Sequence, residues 1–404
     1  MVATFLEDCG PAQVLLLPSP ALLYSNMATL LFHDRYSDYN FGPEHPFSPV
    51  RQEMTMDLLD ALGVPLTPEA PPVATRNDVR RVHSEPFVEM VETASDGTPP
   101  PEARSFGLHT GDVPVFEGMD AATRGLVGGT LHGARLIADE EATRVLQFGG
   151  GLHHAHRARA SGFCVYNDLS VAIDVLREHD LRVAYVDVDV HHGDGVQHLH
   201  EEDPGVLTVS LHETGRALFP GTGHVEEVGK GPGKGFALNV PLAPYTEPDS
   251  YLDVFEHVVP HALQHFQPDV IVAQCGGDAH FSDPLADLLL TTQAYETIFR
   301  RLLALADDHA EGRLLCTLGG GYQLDAVSRI WALLALVVLD CEIPDALPET
   351  YRDRWEARLD GPLTPTLHDP EQDFEVDRRS SIETRNRRTS EQALEQVASH
   401  WHCA

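Results

Sequence analysis

From about Ala121 onward the chain alternates helix-spaced with strand-like segments, and this alternation constrains the fold more than any other feature. DAATRGLVGGTLHGARLIADEE repeats small and apolar residues at helical spacing, TRVLQFGG reads as a strand ending in glycines, NDLSVAIDVLREHD is an amphipathic helix, and LRVAYVDVDV is a valine-rich strand. VLTVSLH, DVIVAQCGGD and GRLLCTLGGGY read as further strands, with helical YLDVFEHVVPHALQHF and QAYETIFRRLLALADDHA between them. Such a pattern predicts an α/β domain, a single parallel β-sheet flanked by helices on both faces. In such sheets ligands sit at the C-terminal edge of the strands. The reactive side chains fall there: GGGLHHA follows the strand ending at Phe148, HHGDG the strand through Val190, GGD the strand ending at Cys275, and GGGY the strand ending at Leu318.

The densest cluster is VDVDVHHGDGV, Val186 to Val196. Alternate side chains of a strand share a face, so Asp187, Asp189 and His191 point one way and Val186, Val188 and Val190 the other. Two carboxylates and an imidazole on one face are hard to bury without a cation to neutralise them. Carboxylate and imidazole suit zinc at about 2.0 to 2.2 Å, with three protein ligands and one open position in a catalytic site. Asp189 and His191 supply two ligands, and Asp278, behind two glycines, is the candidate third; alone, an aspartate there reads equally as a turn residue. His153 and His154 read as ordinary core histidines by themselves, but facing a metal pocket one could take a proton from water and the other help protonate a leaving amine. Asp187 and Asp194 are the carboxylates available to orient them, and Tyr322, otherwise a core tyrosine, could donate to an oxyanion.

Composition sets the remaining bounds. A chain of 404 residues with 42% hydrophobic content can bury one large core, and neither a low-complexity linker nor a repeat divides it. Asp and Glu number 62 against 28 Lys and Arg, a net charge of −34, and the only lysines are Lys230 and Lys234. That surface suggests folding in very high salt and argues against a nucleic acid ligand, which needs a basic face. The six scattered cysteines suit reduced thiols in a cytoplasm. QVLLLPSPALLY is broken by Pro18 and Pro20 and no Lys or Arg precedes it, so it reads as neither a signal peptide nor a membrane span.

GGLHHAH, GFCVYNDLSVAI, YVDVDVHHGDGVQ, SLH, FPGTGHVEEVG, GGDAHFSDPLADL and LGGGYQLDAVSRIW, in that order, resemble the zinc-dependent histone deacetylase family, which has the arginase-like fold. The likeness runs from about Leu31 to about Leu339. YNFGPEHPFSP, TGDVPVFEGMD, the DAH after GG and PETYRDRWEARL look like its acetoin utilization branch, and the acidic surface suggests a halophilic archaeon. The resemblance implies Asp189, His191 and Asp278 as metal ligands, His153 and His154 as the catalytic pair with Asp187 and Asp194 behind them, and Tyr322 as the group that polarises the carbonyl. It implies Phe163 and Phe219 as walls of an acyl-lysine channel, Leu285 as its apolar rim, Asp112 as the rim aspartate holding the substrate backbone, Gly320 as a substrate contact, and Arg51 in an internal acetate cavity. It also implies Zn²⁺, with Fe²⁺ an alternative, and a structural K⁺ held by Asp187, Asp189, His191, Ser210 and Leu211. His280 lies where related ureohydrolases place a second-metal ligand, yet His191 is followed by His192 and Gly193 rather than by their Asp-x-His-x-Asp pattern. One metal is expected, with His280 at the pocket rim.

The expected division is a disordered extension or misplaced start over residues 1–26, a deacetylase domain over 27–340 and a partly helical C-terminal extension over 341–404. The expected activity is hydrolysis of acetyl-lysine amides in proteins. A deacetylase of small molecules such as acetylpolyamines would use the same core, and a catalytically silent acetyl-lysine binding module is the non-enzymatic reading, against which Tyr322 and both histidines speak.

Overall fold

The computed structural model describes residues 28–401, so the expected extension at residues 1–26 lies outside the described residues. In chain order the elements are β1 (Ala28–Leu31), α1 (Val50–Ala61), α2 (Arg76–Val79), α3 (Glu85–Ala94), α4 (Met119–Ala138), β2 (Arg144–Gln147), α5 (Asp168–Glu178), β3 (Val183–Asp187) and α6 (Asp194–His200). They continue with β4 (Val206–Glu213), β5 (Ala237–Leu242), α7 (Pro248–Phe266), β6 (Val270–Gln274), α8 (Thr292–His309), β7 (Leu314–Thr317), α9 (Leu324–Val338), α10 (Glu349–Leu359) and α11 (Arg379–Trp401). All strand pairs are parallel, in the order β1-β2-β7-β6-β3-β4-β5. The strands that carry the four reactive clusters, β2, β7, β6 and β3, are therefore side by side at the centre of the sheet.

Alternation along β3 divides the core. Ala184 and Val186 face the layer of α7, α8 and α9, in one cluster with Phe255, Ile298 and Trp331. Val183 and Tyr185 face α4 and α5, beside Ile137, Leu169 and Ile173. Both faces are covered, which is why this strand tolerates apolar residues at successive positions. β3 ends at Asp187, three residues before the valine pattern stops. The carboxylates cause this: Asp187 Oδ1 accepts from Asp189 N–H at 3.1 Å and Asp189 Oδ1 from His191 N–H at 3.0 Å, so side chains take donors that a ladder would use. Val188 and Val190 stay buried with Val186 nonetheless.

The segment after residue 340 is built into the body. On α10, Trp355 Nε1 donates to Asp57 Oδ2 of α1 at 2.6 Å. α11 lies against β5 and α7, where Asn386 is fully buried: its Oδ1 accepts from Ala243 N–H at 3.0 Å and its Nδ2 donates to Thr246 Oγ1 at 2.7 Å and to Ser250 Oγ at 3.0 Å. Trp401 closes the end of the helix by donating Nε1 to Gly235 O at 2.8 Å. Asn386→Ala would strand the Ala243 N–H and take a donor from the Ser250 hydroxyl, while Thr246 Oγ1 keeps its bond to Ala243 O. It should cost about 1–3 kcal/mol, read as a lower urea midpoint at unchanged slope.

Candidate active site

The loop after β2 places the histidine pair. Gly151 has φ +76°, and a Cβ there would lie 2.1 Å from Leu318 O, so only glycine lets this loop pass the end of β7. Its backbone is held by Asp168, the first residue of α5, whose Oδ2 accepts from Gly151 N–H at 3.0 Å and whose Oδ1 accepts from Leu152 N–H at 2.7 Å. Thr130 Oγ1 donates to the same carboxylate. Asn167 caps α5 through Ser170 N–H and gives its side-chain N–H to Ala155 O at 3.0 Å. Sequence reasoning assigned Asp168 and Asn167 no role; a polar pair at a helix start looks like capping alone.

His153 Nδ1 is 2.8 Å from Asp187 Oδ2, which also accepts from Tyr185 Oη at 2.6 Å. His154 Nδ1 is 2.7 Å from Asp194 Oδ1, and His156 Nε2 meets the other oxygen at 3.0 Å. The two Nε2 atoms of the pair face each other at 3.0 Å. Burial and the neighbouring charge of His153 push the His154 imidazolium down to about 3, against the pull of Asp194. Burial also opposes the charged form of His153, but Asp187 and Asp189 outweigh it and lift that ring to about 9. One neutral and one charged imidazole thus stand side by side.

Beside them, ligand-type atoms of Asp189, His191 and Asp278 lie within 4.8 Å of one another, all buried. His191 Nδ1 is 3.1 Å from Asp189 Oδ1 and 3.1 Å from Asp278 Oδ2. Gln274 Nε2 at 2.7 Å and Gly320 N–H at 2.8 Å both donate to Asp189 Oδ2, while Val190 N–H donates to Asp278 Oδ1 at 2.9 Å. Burial and the charge of Asp189 raise Asp278. Burial would raise Asp189 too, but His153 and His191 hold it well below the carboxylate range. Two such carboxylates lean on a protonated imidazole, His191, lifted to about 10 against its own burial; a cation satisfies the same field. A Cβ on Gly320 would sit 1.8 Å from Asp278 Oδ2, so the glycine keeps this space open. The donor set, its burial and its negative field fit one divalent ion.

Tyr322 closes the site from the loop after β7. Its N–H donates to Asp283 Oδ2 at 2.7 Å. Arg51 reaches the same loop from α1: fully buried, its Nη1 donates to Gly319 O at 2.9 Å and Gly321 O at 3.0 Å, with the guanidinium 4.1 Å from the Phe47 ring centre and 5.6 Å from that of Tyr322. Phe163 meets the Tyr322 ring edge-on at 5.7 Å, and Phe219, 41% exposed, packs on His154 at 5.0 Å and His191 at 6.4 Å. The exposed Asp112 accepts at its backbone oxygen from His45 Nε2 at 3.3 Å, and the His45 ring packs on Phe163 at 4.6 Å. Leu285 is half-buried, its N–H on Asp283 Oδ1 at 3.0 Å. Ser210 is the β4 partner of Asp187, with its Oγ 2.8 Å from His212 Nδ1; Leu211 follows it, buried.

His280 is the correction. It is not at the rim but 1% exposed, with Nε2 2.9 Å from Asp369 Oδ2 and Nδ1 2.8 Å from Ser282 Oγ. Asp369 also pairs with Arg329 at 2.9 Å and accepts from Thr292 N–H at 2.8 Å. Both ring nitrogens are taken, one by a carboxylate 89 residues on, which gives the histidine a fully bonded buried place.

Residues 45–338 match the histone deacetylase domain. The chain belongs to the histone deacetylase family. It is 38% identical over 381 residues to the acetoin utilization protein AcuC of Bacillus subtilis (strain 168), covering 92% of this chain and 98% of that one. It is 34% identical to AcuC of Staphylococcus xylosus, covering 88% and 94%. The crystal structure of a histone deacetylase homologue from Aquifex aeolicus superposes with a TM-score of 0.81 at 25% identity, covering 91% of this chain and all of that one. A homologue complexed with SAHA gives 0.82 at 26% identity over the same shares. These relatives place the chain in the acetoin utilization branch, as a hydrolase that removes acetyl groups, in a metal-dependent family with the arginase-like fold. No helix among the described residues is long and apolar enough to cross a membrane.

Two measurements probe this centre. Elemental analysis should find close to one divalent equivalent per chain, and Asp189→Ala should lose it while keeping the far-ultraviolet spectrum. A histidine behind the pair sets an acid limit. His83 Nε2 accepts from Asn167 N–H at 2.9 Å and its Nδ1 meets His156 O at 3.0 Å, so the ring must be neutral. Burial lowers it from 6.5 to about 4. The folded state therefore binds fewer protons: this stability is complete above about 6.5 and lost as pH falls towards 4, by up to about 3 kcal/mol. Denaturant midpoints between those values should fall less steeply in His83→Gln, which does not titrate.

Proposed function

We propose that this protein hydrolyses the acetyl amide of lysine side chains in proteins, with Asp189, His191 and Asp278 holding Zn²⁺, or Fe²⁺ in its place, and with K⁺ held at Asp187, Asp189, His191, Ser210 and Leu211. The observation that carries the reading is the buried imidazole pair, His153 on Asp187 and His154 on Asp194, beside the ligand cluster of Asp189, His191 and Asp278. A divalent ion bound there would polarise the amide carbonyl and lower the pKa of a water. It would also lower the pKa of both histidines by like-charge repulsion, leaving His153 the more basic of the two.

His154 Nε2, free of a proton, accepts one from the attacking water as its C–O bond forms, and Asp194 stabilises the imidazolium that results. The C–N bond then breaks as His154 returns the proton to the departing lysine nitrogen, giving acetic acid and the neutral amine. The second proton of the water then passes from the acid to the amine, leaving acetate and the lysine ammonium. His153, held by Asp187, sets its Nε2 against that of His154 and so fixes the position of the ring that moves the proton. Tyr322 Oη donates to the carbonyl oxygen as it gains charge. Phe163 and Phe219 flank a slot suited to a straight aliphatic arm, the rim at Leu285 is apolar, and Gly320 leaves room at its base. The carboxylate of Asp112 is exposed where it can accept backbone N–H groups of a peptide. Arg51 is the candidate wall of a cavity for the released acetate.

The test compares an acetyl-lysine peptide with an acetylated polyamine, each with wild type and Tyr322→Phe. The peptide should have the higher kcat/KM; the reverse order would move the substrate to the polyamine. Tyr322→Phe removes a donor used mainly in the transition state, so kcat should fall about a hundredfold to a thousandfold with peptide affinity changed much less. Wild type that binds the peptide without cleaving it would identify an acetyl-lysine reader.

A further inference from the structure

Away from the catalytic centre, a groove of about 580 Å³ opens between α11 and the loop after β4. Arg216, His224, Arg385 and Arg388 line it, with the hydroxyls of Thr384 and Thr389, and Glu226 is the single carboxylate among its lining residues. In a chain with 62 carboxylates to 28 cationic side chains, a groove lined by three exposed arginines and one glutamate runs against the overall charge balance. None of the three forms an ion pair among the described residues. Arginines nearby on the same helix do: Arg379 pairs with Glu247 at 2.5 Å and Arg387 with Asp253 at 3.7 Å.

The helix fixes this arrangement. Ser381, Thr384, Arg385, Arg388 and Gln392 recur at helical spacing and form one stripe along the groove. Asn386, Ser390, Ala393 and Val397 form another stripe, buried against β5 and α7, so the helix cannot roll to turn its arginines outward. Arg385 and Arg388, three apart, repel each other, and Arg216 adds a third positive charge across the groove. An anion relieves all three at once. Guanidinium forks suit phosphate oxygens bidentately, and the hydroxyls add donors. One phosphate would fill only part of 580 Å³, which leaves room for an organic body.

We propose that this groove binds a small organic phosphate, separately from the acetyl substrate. The bound group would join the C-terminal helix to the turn carrying Arg216, three residues before the Phe219 ring that packs on His154.

Calorimetry of the full chain in buffer of low ionic strength, with ADP and with inorganic pyrophosphate as probes, should find one site per chain. Arg385→Gln/Arg388→Gln should weaken ADP binding by about a hundredfold or more, since each lost charged hydrogen-bond donor costs about tenfold. Peptide deacetylation without ADP should be unchanged in that variant, and Arg216→Gln should weaken binding as well. Arg378→Gln/Arg387→Gln makes the same charge change outside the groove and should keep ADP binding close to wild type. Absence of ADP binding to wild type, or equal losses in the two double variants, would overturn the proposal. Citrate binding as tightly as ADP would overturn the phosphate class.

Discussion

Everything in the catalytic centre depends on concentrated, buried negative charge. Asp187, Asp189, Asp194 and Asp278 converge at the ends of β3 and β6, where water is excluded and each ionised carboxylate is costly. The chain answers in three ways: the imidazoles of His153, His154, His156 and His191 that lean on carboxylates, backbone N–H groups, and a space that a cation completes. Removing any one partner leaves a bare charge in a low-dielectric pocket, so the same residues that make the centre reactive make it intolerant of substitution. Gly320 belongs to this arrangement as firmly as the ligands, because a methyl group in its place would meet Asp278.

Much of this was legible in the sequence where periodicity and chemistry coincide. The alternation in VDVDVHH assigned one face to carboxylates and the other to valines, and the structure keeps that division even where the strand ends early. The four clusters were legible as one edge because a parallel sheet has only one carboxyl edge. What escaped was whatever depends on contacts far apart in sequence. Nothing in RQEMTM itself marks Arg51 as a fully buried cation, since two of its partners are carbonyls 268 and 270 residues away, and only the family resemblance pointed to it. His280 read as a rim residue because its real partner, Asp369, lies in a segment without strong periodicity. β1 and β5, the two edge strands, have no sequence signal of their own: β1 has four residues and is half open, and β5, though longer and mostly buried, is broken in pattern by Asn239 and Pro241.

The C-terminal extension also changes meaning once its contacts are known. Asp369 ties the loop that bears Asp278 to Arg329 of α9 and to the start of α8, and α11 seals β5. Residues beyond 340 thus brace the ligand loop from behind, although none of them touches the ligand cluster. The charge pattern of α11 follows the same logic: one stripe is buried, another lines a positive groove, and a third meets solvent.

The strand order has a consequence for how the molecule comes into being. β7, near residue 315, sits between β2 and β6, and only after it is made can the middle of the sheet close. A ribosome still short of that point holds two half-sheets with bare inner edges, a form prone to mispairing. His153 and Asp278 stand on opposite sides of that gap, brought together by a strand that reaches neither of them in sequence. The residues on the two sides of β7 can form one centre only after that strand has joined them, so the capacity to remove acetyl groups arrives late, as a property of the closed sheet.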